Sequence, residues 1–325
     1  MRIEGMNQNV HLIASISALI TLNAQALEEF IMPRMQQNTY LSHAKPAEQF
    51  GLQMVEGKHG LTYQGSPKIP GKQKVTVAFE TGPIPLIKIS NTPQNRSMNV
   101  LLDTGSPVSW MEFGTSLDFG TEFLGTSRKQ LRYPGPLNTG GAPGFAAVVP
   151  RMDMGYVEIY NTPLYVRMAL HSLGPFARGI EAPHVDTVFG YDFMKNFEYV
   201  RFDFQKREVL FSTTDIYVPD VDLLMTVATI KKVSEGGLAV EGSIVGSTTP
   251  IILDVAGDYH FSRGDVKVKV TKQVSLGDVV WRQVPTLLLP TGEKRAPRAG
   301  RKMLERYTLT VCPKRGVVYF ERLAE

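Results

Sequence analysis

The chain has 325 residues, enough for about two domains of ordinary size. With 43% hydrophobic and 20% charged residues it is no disordered polymer. The formal net charge is +4, but Lys and Arg are scattered, and the densest run, Lys294-Arg295-Ala296-Pro297-Arg298-Ala299-Gly300-Arg301-Lys302, has no aromatic residues between its charges. It reads as a solvated loop, and no nucleic-acid partner is expected.

The first apolar stretch is His11–Leu22, followed by Ala24-Gln25-Ala26. It is too short to span a bilayer, and the small residues form an A-x-A cleavage pattern, although Arg2 is the only basic residue before it. Residues 1–26 are expected to be a signal peptide, so the mature protein is secreted or periplasmic and makes no membrane contact. The single cysteine, Cys312, excludes an intramolecular disulfide, which suits a bacterial periplasm. It sits in the apolar run Tyr307–Cys312 and is expected to be a buried, inert thiol.

Residues 27–75 are polar and punctuated by Gly65-Ser-Pro-Lys-Ile-Pro-Gly71, as in a propeptide, a linker or a wrapping strand. Strand patterns then follow at Val75–Phe79 and Pro85–Ser90, a turn at Asn91-Thr-Pro-Gln-Asn95, and another strand at Met98–Asp103. That strand runs into Asp103-Thr104-Gly105-Ser106, with Trp110 shortly after.

The chain then repeats itself. Val188-Phe189-Gly190 is followed by Met194, Phe197, Phe202 and Phe211, at offsets 4, 7, 12 and 21 from the glycine. Ile251-Ile252-Leu253-Asp254 leads to Gly300, then Leu304, Tyr307, Cys312 and Phe320, at offsets 4, 7, 12 and 20. Two copies of one unit are expected, each a short helical stretch and two strands after the glycine, with the units at 76–214 and 215–325.

These residues resemble the pepsin-like aspartic proteases. Asn91–Asn95 is similar to the family's entry turn, Asp103-Thr104-Gly105-Ser106 to its catalytic turn, Trp110 to the tryptophan that follows, and Val188–Phe197 to the segment that threads beside the turn around Gly190. The resemblance implies a mostly β, bilobal fold of two related barrel-like lobes with a substrate cleft between them. It implies a catalytic dyad of Asp103 and Asp254, one from each lobe, acting on a peptide or protein substrate without metal or other cofactor in a monomer. Two carboxylates about 3 Å apart cannot both ionise, so they share a proton and titrate as a unit. One member then acts as base toward a water and the other as acid toward the scissile carbonyl. The segment Leu137-Asn-Thr-Gly140-Gly141-Ala-Pro-Gly144 is similar to the family's flap hairpin, with Leu137 in the place of its tyrosine and Tyr133 nearby as a substitute.

The second unit departs from the pattern. Asp254-Val255-Ala256 has Val in the place of the hydroxyl residue and Ala in the place of glycine. Val cannot donate a hydrogen bond across the lobes, a loss of about 1 kcal/mol. Ala at a positive φ would be strained. Arg298-Ala299 replaces Val188-Phe189 before the glycine, and Asp254 to Gly300 spans 46 residues where Asp103 to Gly190 spans 87, as if part of one cleft wall were missing. Asp258 is the alternative second carboxylate. A cation beside the pair, such as Arg263, would oppose a shared proton. Three readings follow: an active aspartic endopeptidase; an inactive relative that binds a peptide or protein in its cleft; and a single lobe that pairs with a second copy through Asp103. The chain has no G-x-S-x-G, C-x-x-C, H-E-x-x-H or P-loop motif, and its six histidines, His171, His184 and His260 among them, lack metal-ligand spacing.

Overall fold

The apolar runs of the sequence fold as strands. The computed structural model describes residues 38, 42–57, 60–125, 144–167, 185–234, 236–264, 268–288 and 296–323. The expected signal peptide, Tyr133, Leu137, Gly140, Gly141, His171 and His184 lie outside the described residues. In chain order the strands of the first half are β1 (Gln53–Gly57), β2 (Gly60–Gln64), β3 (Lys74–Ala78), β4 (Leu86–Asn91), β5 (Arg96–Leu102), β6 (Trp110–Glu112), β7 (Glu122–Phe123), β8 (Gly144–Met154), β9 (Val157–Arg167), β10 (Thr187–Phe189), β11 (Tyr199–Asp203) and β12 (Glu208–Ser212). Those of the second half are β13 (Leu224–Lys231), β14 (Ala239–Ile244), β15 (Ser247–Asp254), β16 (Phe261–Arg263), β17 (Val270–Leu276), β18 (Val279–Leu288), β19 (Arg298–Gly300), β20 (Tyr307–Cys312) and β21 (Val317–Arg322).

The repeat is a repeat of topology. In the first half the strands run β4-β5-β10-β6-β9-β8, and a β4–β8 pairing closes them into a barrel-like sheet. In the second half β14-β15-β19-β16-β18-β17 run in the same cyclic order, closed by β14–β17. In each, the short strand that ends at or before the glycine is inserted beside the aspartate-bearing strand. β10 runs parallel to β5 and antiparallel to β6, and β19 runs parallel to β15 and antiparallel to β16. Such a central parallel strand is covered on both faces, which is why Val100-Leu-Leu and Ile251-Ile-Leu read as unbroken apolar runs.

All six strands survive in the shorter second barrel. The shortening falls between equivalent strands: residues 113–143, with strand β7, separate β6 from β8, whereas 264–269 separate β16 from β17. The helix Phe113–Asp118 and strand β7 of the first half have no counterpart among the described residues of the second.

After each glycine a short helix, Tyr191–Met194 or Arg301–Leu304, leads into a strand pair, β11–β12 or β20–β21. The matched offsets now have a packing meaning: Phe197 and Phe211 have ring centroids 5.0 Å apart, and their counterparts Tyr307 and Phe320 are 6.1 Å apart. The two pairs join through β11 and β20 into one sheet that continues to β3 on one side and β13 on the other. Val200 faces Val311 and Arg201 faces Thr310, so residues ten and eleven positions after one glycine meet those eleven and ten after the other. That exchange is the signature of a pseudo-twofold axis between the halves.

Residues 42–70 lie against the first barrel. Ala47 and Leu52 are buried with Leu124, Val148 and Tyr165, and the Tyr63 ring packs tilted against Tyr165 with centroids 5.3 Å apart. Cys312 is fully buried, as its apolar run implies. Among the described residues no helix is long and apolar enough to cross a membrane.

Candidate active site

The two aspartates leave parallel, buried strand ends, Asp103 just after β5 and Asp254 at the end of β15. Each turn is braced by the glycine of the neighbouring strand. A Cβ on Gly190 would lie 2.5 Å from the Val108 carbonyl oxygen, and one on Gly300 would lie 2.3 Å from that of Tyr259. Both backbones approach more closely than any side chain permits. Asp103 N–H donates to Phe189 O at 2.9 Å, and Tyr191 N–H to Ser106 O at 2.8 Å, so the inserted segment is stitched to the turn.

Within the first turn, Asp103 Oδ1 accepts hydrogen bonds from the amides of Gly105 (2.8 Å) and Ser106 (3.1 Å). The Ser106 hydroxyl turns back to Val108 O at 2.8 Å. Thr104 is fully buried and links the halves: its hydroxyl donates to Leu253 O at 2.6 Å and accepts from Val255 N–H at 3.2 Å. Leu238 N–H donates to Thr104 O at 2.8 Å and Leu253 N–H to Leu238 O at 2.8 Å, so the second half is tied to the first turn by its backbone as well. Val255 offers no hydroxyl in return; its side chain is buried in the core. One threonine therefore serves both directions of a link that two would share.

Asp254 is 2% exposed. Its Oδ1 accepts from Gly257 N–H at 2.8 Å and its Oδ2 from the Tyr259 hydroxyl at 2.6 Å. Arg298 Nη1 lies 3.7 Å from the same Oδ2 and donates to Gly105 O at 3.4 Å. Asp258 turns away into an ion pair with Arg301 and Lys302, which leaves Asp254 as the carboxylate facing the first turn.

The two turns meet. A Cβ on Gly105 would lie 3.0 Å from Asp254 Cγ, 3.0 Å from Arg298 Nη1 and 3.2 Å from Asp103 Oδ1. Burial and the negative charge of Asp254 push the Asp103 carboxyl up to about 7, against the lowering effect of Arg298 and the two turn amides. Burial and Asp254 likewise hold the Tyr259 phenol well above its usual value, so it is a donor at any working pH.

The pseudo-twofold axis explains the irregularities of the second turn. In the register of β10 on β5, Val188 pairs with Leu101; in that of β19 on β15, Arg298 pairs with Ile252. Val188 packs with Leu86, Leu101 and Ala256, the alanine of the opposite turn. Its counterpart Arg298 reaches Gly105, the glycine of the opposite turn. Ala256 thus fills an apolar contact, while Gly105 must stay bare to admit a guanidinium. Ala256 is not among the described residues with positive φ, which corrects the expectation of strain there.

Of the expected site residues, Asp103, Thr104, Gly105, Ser106, Gly190 and Asp254 converge here. Trp110 begins β6 and packs between the apolar clusters of Leu124 and Leu101. Gly144 begins β8; the other flap residues lie outside the described ones. A cation does stand beside the pair: Arg298, 3.7 Å from Asp254 Oδ2. Tyr259 and Leu238 were not anticipated; a tyrosine five residues after an aspartate carries no local signal. Among the described residues no group of three or more His, Cys, Asp or Glu could hold a metal. Comparison of the chain with protein-family models and with curated proteins finds no match.

Proposed function

We propose that the chain is an aspartic-type endopeptidase with a pepsin-like bilobal fold, in which Asp103 and Asp254 hydrolyse a peptide bond held between the two barrels. The observation that carries this reading is the juxtaposition of the two turns, close enough that the charge of Asp254 helps hold a proton on Asp103 up to about pH 7. The pair then carries one proton, which the reaction requires. One carboxylate takes a proton from water as the water oxygen bonds to the peptide carbon; the other gives its proton to the carbonyl oxygen. As the resulting diol collapses, the C–N bond breaks, the amine nitrogen takes the proton held by the pair, and one diol hydroxyl gives its proton back to the pair as its oxygen becomes the product carbonyl, so the pair again holds one proton. Both carboxylates come from one chain, which favours a monomer over pairing through a second copy. An exported location, secreted or periplasmic, rests on the apolar segment and the cleavage pattern within residues 1–26.

The test is incubation of the protein with a denatured protein substrate between pH 3 and pH 8, with mass-spectrometric detection of new peptide ends. Cleavage should be present below about pH 7, fall above it, and vanish in both Asp103→Asn and Asp254→Asn. Full activity in Asp254→Asn refutes the pairing. The second reading, a cleft that binds a peptide without cutting it, is favoured by Tyr259 and Arg298, which already engage the Asp254 oxygen that a water would use. Saturable peptide binding with no new ends at any pH would select it.

A further inference from the structure

Both oxygens of Asp254 face a donor or a positive charge: the Gly257 amide, the donating Tyr259 hydroxyl and the Arg298 guanidinium. The one oxygen of Asp103 with described partners accepts from two neutral amides. Among the described residues, Arg298 on β19 reaches Asp254 as an ion pair and is 12% exposed, so solvent screens it little. On the opposite side of the pseudo-twofold axis the equivalent position is the uncharged Val188. The environment of the two carboxylates is unequal by construction.

We infer that Arg298, with Tyr259, is a positioning residue that assigns the two carboxylates fixed roles: Asp254 is the standing anion that takes the proton from water, and Asp103 is the acid that delivers one to the carbonyl. The assignment rests on the peptidase reading for its catalytic meaning. Its electrostatic content does not. With one proton on Asp103, the cluster Asp103, Asp254 and Arg298 is neutral, and loss of that proton leaves a charge of −1. Without the guanidinium the same steps run from −1 to −2, so Asp103 holds its proton to higher pH. Among the described residues, Tyr259 and Arg298 are titratable or charged groups that face the pair from the packed elements; Asp258 is taken up by Arg301 and Lys302.

The experiment is a pH titration of the carboxyl stretch by infrared difference spectroscopy, referenced to Asp103→Asn, on wild type, Arg298→Met, Arg298→Lys and Tyr259→Phe. It needs no substrate. In parallel, kcat and KM are measured across pH on the same proteins. The Asp103 midpoint should move upward by about 1 unit or more in Arg298→Met and return close to the wild-type value in Arg298→Lys. In Tyr259→Phe, kcat should fall more than tenfold with KM within about twofold. Should Arg298→Met fail to fold, Arg298→Gln carries the same expectation. An unmoved midpoint in the charge-removing variant overturns the inference, whether or not the protein cuts peptides. A moved midpoint in a protein that cuts nothing upholds the electrostatic assignment and refutes the peptidase reading instead.

Discussion

Replacing Thr104 by valine keeps the shape of the side chain and deletes its hydroxyl. In the structure that hydroxyl makes two buried bonds across the halves, to Leu253 O at 2.6 Å and from Val255 N–H at 3.2 Å. Each buried partner left without it costs about 1–3 kcal/mol, so Thr104→Val should destabilise the chain by about 2–4 kcal/mol. Thr104→Ser retains the hydroxyl and gives up one buried methyl, a loss of about 1 kcal/mol. Urea unfolding followed by circular dichroism separates the two. With a slope of about 3 kcal/mol per molar urea, the valine variant should unfold at a midpoint about 1 M lower, and the serine variant only about 0.3 M lower. A valine variant that unfolds with the wild type, or a serine variant that falls as far as valine, would refute the argument that this hydroxyl contributes to the link between the halves.

Gly190→Ala should destabilise by about 3 kcal/mol, the upper end of ordinary overpacking, because its methyl would press on the Val108 carbonyl, a backbone atom that cannot swing away. Gly300→Ala should do the same against Tyr259, and thermal unfolding of either variant reads the loss. The Asp103 carboxyl is raised to about 7 in the folded chain, against an ordinary value near 4 in the unfolded one. Between those values the folded state holds a proton that the unfolded state has lost, so the contribution of this group to stability falls as pH climbs from about 4 to about 7. Wild type minus Asp103→Asn should therefore show a decline in stability across that window, and a flat difference would contradict it. Tyr63→Phe removes the donor that reaches Asp192 Oδ2 at 2.6 Å. It should speed limited proteolysis within residues 60–70 several-fold while leaving the unfolding midpoint of the barrels within about 1 °C.

Much of this site was legible in the chain, and the rest was hidden for physical reasons. The strand expected at Met98–Asp103 is β5, and the turn Asn91–Asn95 is a single 3-10 turn, Thr92–Gln94, closed by Asn95 at φ 51°. The offsets after Gly190 and Gly300 mapped onto helix, strand and strand because period and spacing are local properties. Arg298 is different. Its approach to Asp254 depends on a parallel strand register set 44 residues away, which no local pattern encodes. Ala256 looked like a defect because its partner, Val188, belongs to the other half of the molecule. The segment 42–70 showed weak periodicity because its few buried residues, Ala47 and Leu52 among them, rest on the first barrel rather than on one another.

The continuous sheet through β11 and β20 bears on how the two barrels can move. The connector from Thr213 to Leu223 is the only covalent passage between the halves, yet it is not their hinge. Three residue pairs, Val200–Val311, Arg201–Thr310 and Phe202–Leu309, join the halves edge to edge. A rocking of one barrel against the other must be taken up as torsion of that short seam, with Thr104 as a second fixed point. Relative movement of the two barrels is then governed by twist in a β-ribbon, and lengthening the connector would leave it unchanged.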